Sequence, residues 1–142
     1  MTIQEAIGTM LRTESLTLPP LVGDRIYWIQ PPPSPTLPFI VFRQSSERYM
    51  APDMTSEGDV IDAQIDFQIF SRASIAEAHE VAAALRVWMH GWRGDTPYTN
   101  PGYFVQRIER TNQEDISERD LIEQGLFAVG QTYQIIARAT TT

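Results

Sequence analysis

From Val60 to Phe70 apolar and polar residues alternate without a break. Ile61, Ala63, Ile65, Phe67 and Ile69 fall on one side, and Asp62, Gln64, Asp66 and Gln68 on the other. Successive side chains of an extended chain point to opposite faces, so the pattern predicts a strand half-buried against a core. The period then changes. Ser74 and Glu77 have capping-box spacing, and Ile75, Ala78, Ala82, Leu85, Trp88, Met89 and Trp92 recur at helical intervals. This predicts a long helix, closed by Gly91 or Gly94. Its face carrying Ile75, Ala78, Ala82, Leu85 and Met89 is expected to pack on Ile61, Ile65, Phe67 and Ile69.

The rest of the chain extends this pair into an order of elements. Thr2 and Glu5 again have capping-box spacing, and Ile3, Ile7, Met10 and Leu11 share one helical face, which predicts a helix over about residues 3–13. Arg25–Ile29 and Phe39–Ser46 read as strands. Between them the prolines of Pro31–Pro38 fix φ and remove amide donors, so this stretch is expected to be an extended connector. Ser45–Asp59 reads as a long polar loop, Tyr103–Arg110 and Leu126–Ala137 as the last strands, and Thr111–Gly125 as an acidic loop between them. Residues 137–142 read as a frayed tail. The order helix, strand, strand, strand, helix, strand, strand predicts one α+β domain over residues 1–142. Its sheet of about five mostly antiparallel strands would have both helices on one face and an uncharged or acidic outer face, with the long helix as its single crossover.

Composition narrows the function. The formal net charge is −7, and all 11 basic residues are arginines. No basic face of the kind that holds nucleic acid by counterion release is visible. There is no cysteine, which removes disulfides and thiolate metal sites. No apolar run approaches the roughly 18 residues of a membrane span, and no secretion signal is expected. His79 and His90 share a helix but stand roughly 16 Å apart, too far for one metal. Asp62 and Asp66 are roughly 13 Å apart along their strand, beyond the about 5–9.5 Å of glycosidase carboxylates. Asp53–Asp59 lacks the oxygen spacing of an EF-hand loop. No phosphate-binding glycine loop or nucleophile elbow occurs. No catalytic, cofactor or metal residue is therefore assigned. Trp88 and Trp92, one turn apart, read as core or as a subunit interface.

LVGDRIYWIQ, a proline-bearing gap, LPFIVFRQSSE, the alternating strand, the helix SIAEAHEVAAALRVWMHG and two closing strands follow one another in this order. From about Leu11 to Ala137 the chain thereby resembles the tail completion proteins of long-tailed bacteriophages, also called tail terminators. The proline run Pro31–Pro35 and the segment Thr111–Gly125 are longer than that pattern.

The resemblance implies a structural virion protein at the head–tail junction, assembled in the host cytoplasm. It implies a ring of six copies that ends growth of the tail tube, with the tube protein on one side and a head-completion or connector protein on the other. DNA would pass through without specific binding, and no membrane or cofactor is involved. Asp62, Gln64, Asp66 and Gln68 then become candidate channel-lining residues, the alternative being a face that simply meets water. The long loops would reach neighbouring subunits or rings. Two other readings stand beside this one. One is a head-completion adaptor or stopper of the neck. The other is a small α+β enzyme or ligand-binding domain, which would carry a concave pocket with convergent polar groups.

Overall fold

The alternating segment forms the strand around which the sheet is organised. A computed structural model describes residues 3–13, 22, 25–31, 33, 36–49, 60–72, 74–95, 103–116 and 123–139. In chain order these form α1 (Ile3–Thr13), β1 (Ile26–Trp28), β2 (Phe39–Tyr49), β3 (Val60–Ser71), α2 (Ile75–Met89), β4 (Gly94–Asp95), β5 (Tyr103–Asp115) and β6 (Phe127–Ala139). The sheet order is β1-β2-β3-β6-β5-β4, so β3 and β6 are central. β2, β3, β6, β5 and β4 pair antiparallel in turn. The fold is α+β, with both helices on the same face. The two-residue β4 adds an edge strand to the five that the sequence predicts.

Four expectations are corrected. β1 pairs with β2 in parallel, Ile26 opposite Ile40 and Trp28 opposite Phe42, so the long helix is not the single crossover. At the end of β1 the Gln30 amide donates to the Trp28 carbonyl at 2.8 Å around Ile29, whose φ is 70°. This is a tight γ-turn of the strained positive-φ kind. The proline-bearing stretch then returns the chain to the level where β1 began, and Arg25 Nε donates to the Pro38 carbonyl at 3.0 Å. Second, Ser45–Tyr49 continues β2, and Thr111–Asp115 continues β5. The two segments read as long loops therefore begin as strands. Third, Ala137–Ala139 belongs to β6, and Ala137 is fully buried; the pairing with β3 and β5 holds what reads as a frayed tail. The fourth, the charge of the outer face, is taken up below. The rest of the first loop, the segment Asp53–Asp59 within it, and residues 117–122 lie outside the described residues, as does Thr2.

The core lies between the helices and one face of the sheet. Phe42, Phe67 and Tyr133 form an aromatic row across β2, β3 and β6, with centroids 5.8 and 5.6 Å apart. Ile61, Ala63, Ile65 and Ile69 extend it along β3, all buried. α1 contributes Ile3, Ile7, Met10 and Leu11, and α2 contributes Ala78, Val81, Ala82, Leu85 and Met89. Ile75, at the start of α2, is half-buried. Gly8 lies directly over Phe42: a Cβ there would stand 2.5 Å from the Phe42 Cζ.

Polar groups fix how α2 sits. Ser74 caps it, its Oγ accepting from the Glu77 amide at 3.1 Å. The Glu77 carboxylate accepts at 2.6 Å from the hydroxyl of Ser71, which is fully buried at the end of β3. The helix start is thereby tied to the strand before it. At the other end Gly91 adopts φ 83°, and its amide donates to the Ile108 carbonyl of β5 at 2.9 Å. In the middle, buried Gln131 donates through Nε2 to the Ala82 carbonyl at 3.1 Å and to Gln113 Oε1 at 2.7 Å. Its Oε1 accepts from the Tyr133 hydroxyl at 2.7 Å. Burial pushes the Tyr133 phenol well above its usual range, against the opposing pull of Arg110 and Arg86. The phenol therefore stays a donor.

Leu85→Ala is expected to cost about 2–5 kcal/mol, as truncations in a packed core do. A loss below about half a kcal/mol in denaturant melts would mean that this side chain is not packed as described. Gly8→Ala is expected to destabilise as well. Alanine gains about 0.8–1 kcal/mol over glycine inside a helix. Overpacking costs about 1–3 kcal/mol, and Phe42, held by Phe67, cannot swing aside. A raised melting temperature for Gly8→Ala would show that α1 slides freely over β2.

Candidate assembly surface

The face of the sheet away from the helices is polar along its middle, its side chains following from the register, while at the β1 end Tyr27, Phe39, Val41 and Phe70 make it apolar. β3 contributes Asp62, Gln64, Asp66 and Gln68, of which Gln64 and Gln68 are exposed and the two aspartates half-buried. The aspartates are held by their neighbours. Asp62 accepts from Arg48 at 3.0 Å and from Gln134 Nε2 at 3.1 Å. Asp66 accepts from the Thr132 hydroxyl at 2.9 Å. On β5, Arg107 and Glu109 form an ion pair at 2.6 Å. These pairs are solvated on at least one side, so each contributes little to stability. They matter as local charge cancellation.

The outer face is therefore not uniformly uncharged or acidic. By register Arg43, Arg48, Arg107 and Arg138 stand on it with Asp62, Asp66, Glu109 and Glu114. Sequence periodicity isolates β3 because one of its faces is buried along its whole length. It does not place the arginines. β2 and β5 carry bulges, between Gln44 and Ser46, between Val105 and Arg107, and between Arg110 and Asn112. Each bulge moves the following residues to the other face. Arg48 thus reaches Asp62 only because Ser45 is the extra residue.

Between β2, β3, β6 and β5 lies a shallow depression of about 160 Å³, lined by Arg43, Asp66, Gln68, Glu114, Gly130 and Thr132 among others. Ligand pockets span about 300–1,000 Å³, so this one is small for a metabolite. Among the described residues no three or more His, Asp or Glu side chains are placed to hold a metal. His79 is exposed, and His90 accepts from the Arg110 amide at Nδ1 at 3.3 Å, at the end of α2. Trp88 and Trp92 stack at 5.7 Å, half-buried against the core. No described helix is long and apolar enough to cross a membrane. The exposed large apolar residues are Trp28, Ile29 and Val87 among the described ones.

Comparison with known proteins adds the family. The model of the family described as tail completion protein gp17 matches residues 5–138. A chain from the virion of a native gene transfer agent particle has the same fold. Its TM-score is 0.66 at 17% identity, covering 96% of this chain and 95% of that one. A search of curated proteins gives no match. Matched by the family model over nearly its whole length, the chain belongs to the tail completion protein gp17 family and is a structural protein of phage-type tails.

Proposed function

We propose that this protein forms a ring, of six copies by the resemblance, at the head-proximal end of a phage tail. There it ends growth of the tube and joins it to the head connector. The observation that carries this reading is the two-sidedness of the sheet. Both helices cover one face, and the other, polar along its middle, is left open by them. Repeated about an axis, a heterologous contact closes into a ring, and such a sheet can turn its open face to the central passage. The role is structural rather than catalytic. Its partners are other copies, the tube protein and a head-completion or connector protein, at the head–tail junction of the virion.

On this reading Asp62, Gln64, Asp66 and Gln68 line the passage for DNA. Phosphates are held by basic residues that release counterions. Here Arg48 and Arg107 are answered by Asp62 and Glu109, and elsewhere on the face Arg43 and Arg138 are offset by Asp66 and Glu114, with amides and Thr132 beside them. Such a wall neither attracts nor strongly repels the polyanion, so DNA passes without specific binding.

Particles made without the protein separate a terminator from a neck adaptor. Abnormally long tails in electron micrographs are expected. Tails of normal length that fail to join heads would assign it to the adaptor position instead. For the passage, Asp62→Arg with Asp66→Arg is expected to leave particles assembled, with genome release slowed and dependent on salt. The Asp62→Asn, Asp66→Asn pair, which removes the charge but keeps the shape, is expected to release normally. Unchanged release by the arginine variant, with a density map placing these side chains on the outer rim, would overturn the assignment.

A further inference from the structure

Two apolar surfaces lie outside the core, on opposite sides of the molecule. The first is the β1 end of the open face. There Tyr27 stands opposite Val41, and Phe39 opposite Phe70. The Phe39 ring packs against Tyr27 and Phe70, with centroids 6.0 and 5.1 Å away. Tyr27 and Phe70 are half-buried. Ile29, two residues beyond Tyr27, is 61% exposed on a backbone with φ 70°. A positive φ is costly for a β-branched residue, and strain of this kind concentrates at working sites. The second surface is the outer side of α2. At about 3.6 residues per turn, Ala76, Ala83 and Val87 point away from the side that buries Ala78, Ala82, Leu85 and Met89. All three are exposed, Val87 at 70%. Ala84 and Trp88 continue the strip, half-buried. A helix that ends against water carries polar residues on its outer side. On α2 the exposed Glu80 is the one carboxylate within an apolar strip.

We infer that the two surfaces meet between copies: the β1 end of one copy's open face lies over the outer side of the next copy's α2. This rests on the ring reading and says how the ring is joined. A ring closes through two unlike surfaces carried by one chain, and these are such a pair. They match in length. Ala76 to Val87 spans roughly 16 Å of helix, and Phe39 to Arg43 spans about 13 Å of strand. They match in charge. Arg43 borders the sheet patch, two residues beyond Val41 on the same face, and is exposed. Among the described residues neither Arg43 nor Glu80 makes an ion pair within the copy. An open arginine beside an apolar patch favours a partner surface that sets a carboxylate among apolar side chains, and the outer side of α2 is one.

The contact divides the open face into two parts. Its apolar end is taken by the next copy's helix, and its polar middle is left beside the passage. Copies lap round the axis like tiles. Both sides of α2 are then buried in the assembly, the inner against its own sheet and the outer against the neighbour's. This accounts for a helix that is apolar on both sides, since such helices are buried ones.

The protein has no cysteine, so introduced pairs read the contact directly. Tails carrying Tyr27→Cys with Val87→Cys, treated with a short bismaleimide, are expected to give a ladder of covalent multimers on denaturing gels. Each single variant is expected to stay monomeric. So is Gln64→Cys with Val87→Cys, because Gln64 stands in the polar middle of the face. Monomer alone from the Tyr27 pair, in tails that hold several copies, would overturn the contact and leave the ring standing. A product with another tail protein in place of the ladder would give the surface to that partner and overturn the contact between copies. One copy per tail would remove the ring reading and this inference with it. If the cysteine pair is not incorporated, two substitutions at side chains exposed in the free copy test the same contact. Purified Val87→Asp and Ile29→Gly are expected to stay folded, the second melting no lower than the parent because glycine takes a positive φ freely. Each is expected to lower the yield of joined particles several-fold. Normal yield from either would overturn the contact.

Discussion

The row of Phe42, Phe67 and Tyr133 fixes where everything else can lie. Three rings on adjacent strands make a surface that helices must cover, because leaving it in water would forfeit much of the burial that holds so small a chain folded. α1 reaches the row at the one residue without a side chain, Gly8. α2 meets it beside Gln131, whose amide joins the Ala82 carbonyl of the helix to the Tyr133 hydroxyl of the sheet. A buried amide with all its partners holds one orientation of α2, since any other leaves donors and acceptors unpaired. With both helices committed to that face, the opposite face of the sheet is left uncovered by them.

That open face differs in character from the chain as a whole. The protein is acidic, yet the open sheet sets arginines beside carboxylates. Surface pairs of this kind add little stability. Their effect is to flatten the potential over the surface. On the proposed reading, a surface with little net field suits a wall beside which a polyanion moves, because it offers phosphates no continuous run of cations.

What the sequence revealed and what it hid divide along burial. β3 and α2 were legible because one face of each is covered along its length, which imposes period two or 3.6 on the residues. Ser45–Tyr49 and Thr111–Asp115 were not. These strand ends sit at the margins, where Ser45–Arg48 and Thr111–Asp115 are exposed on both faces, so nothing demands alternation, and their polar residues read as loop. The parallel placement of β1 was hidden for another reason. It depends on a turn at Ile29 and on the return of a proline segment, neither of which leaves a hydrophobic period. Of the candidate site, Asp62, Gln64, Asp66 and Gln68 were legible as one face, but their arginine partners were not. Bulges set those partnerships, and a bulge shows only once strands are paired.

The shortness of β1 has a consequence for the free chain. An uninterrupted strand edge is a template on which copies can stack without limit, the route to fibres. Here the γ-turn at Ile29 ends β1 after three residues, while β4 and the end of α2 blunt the far side. Neither margin offers a full strand's length of unsatisfied backbone among the described residues. Shortening the open edge in this way is how sheet proteins discourage level stacking, the geometry of fibrils.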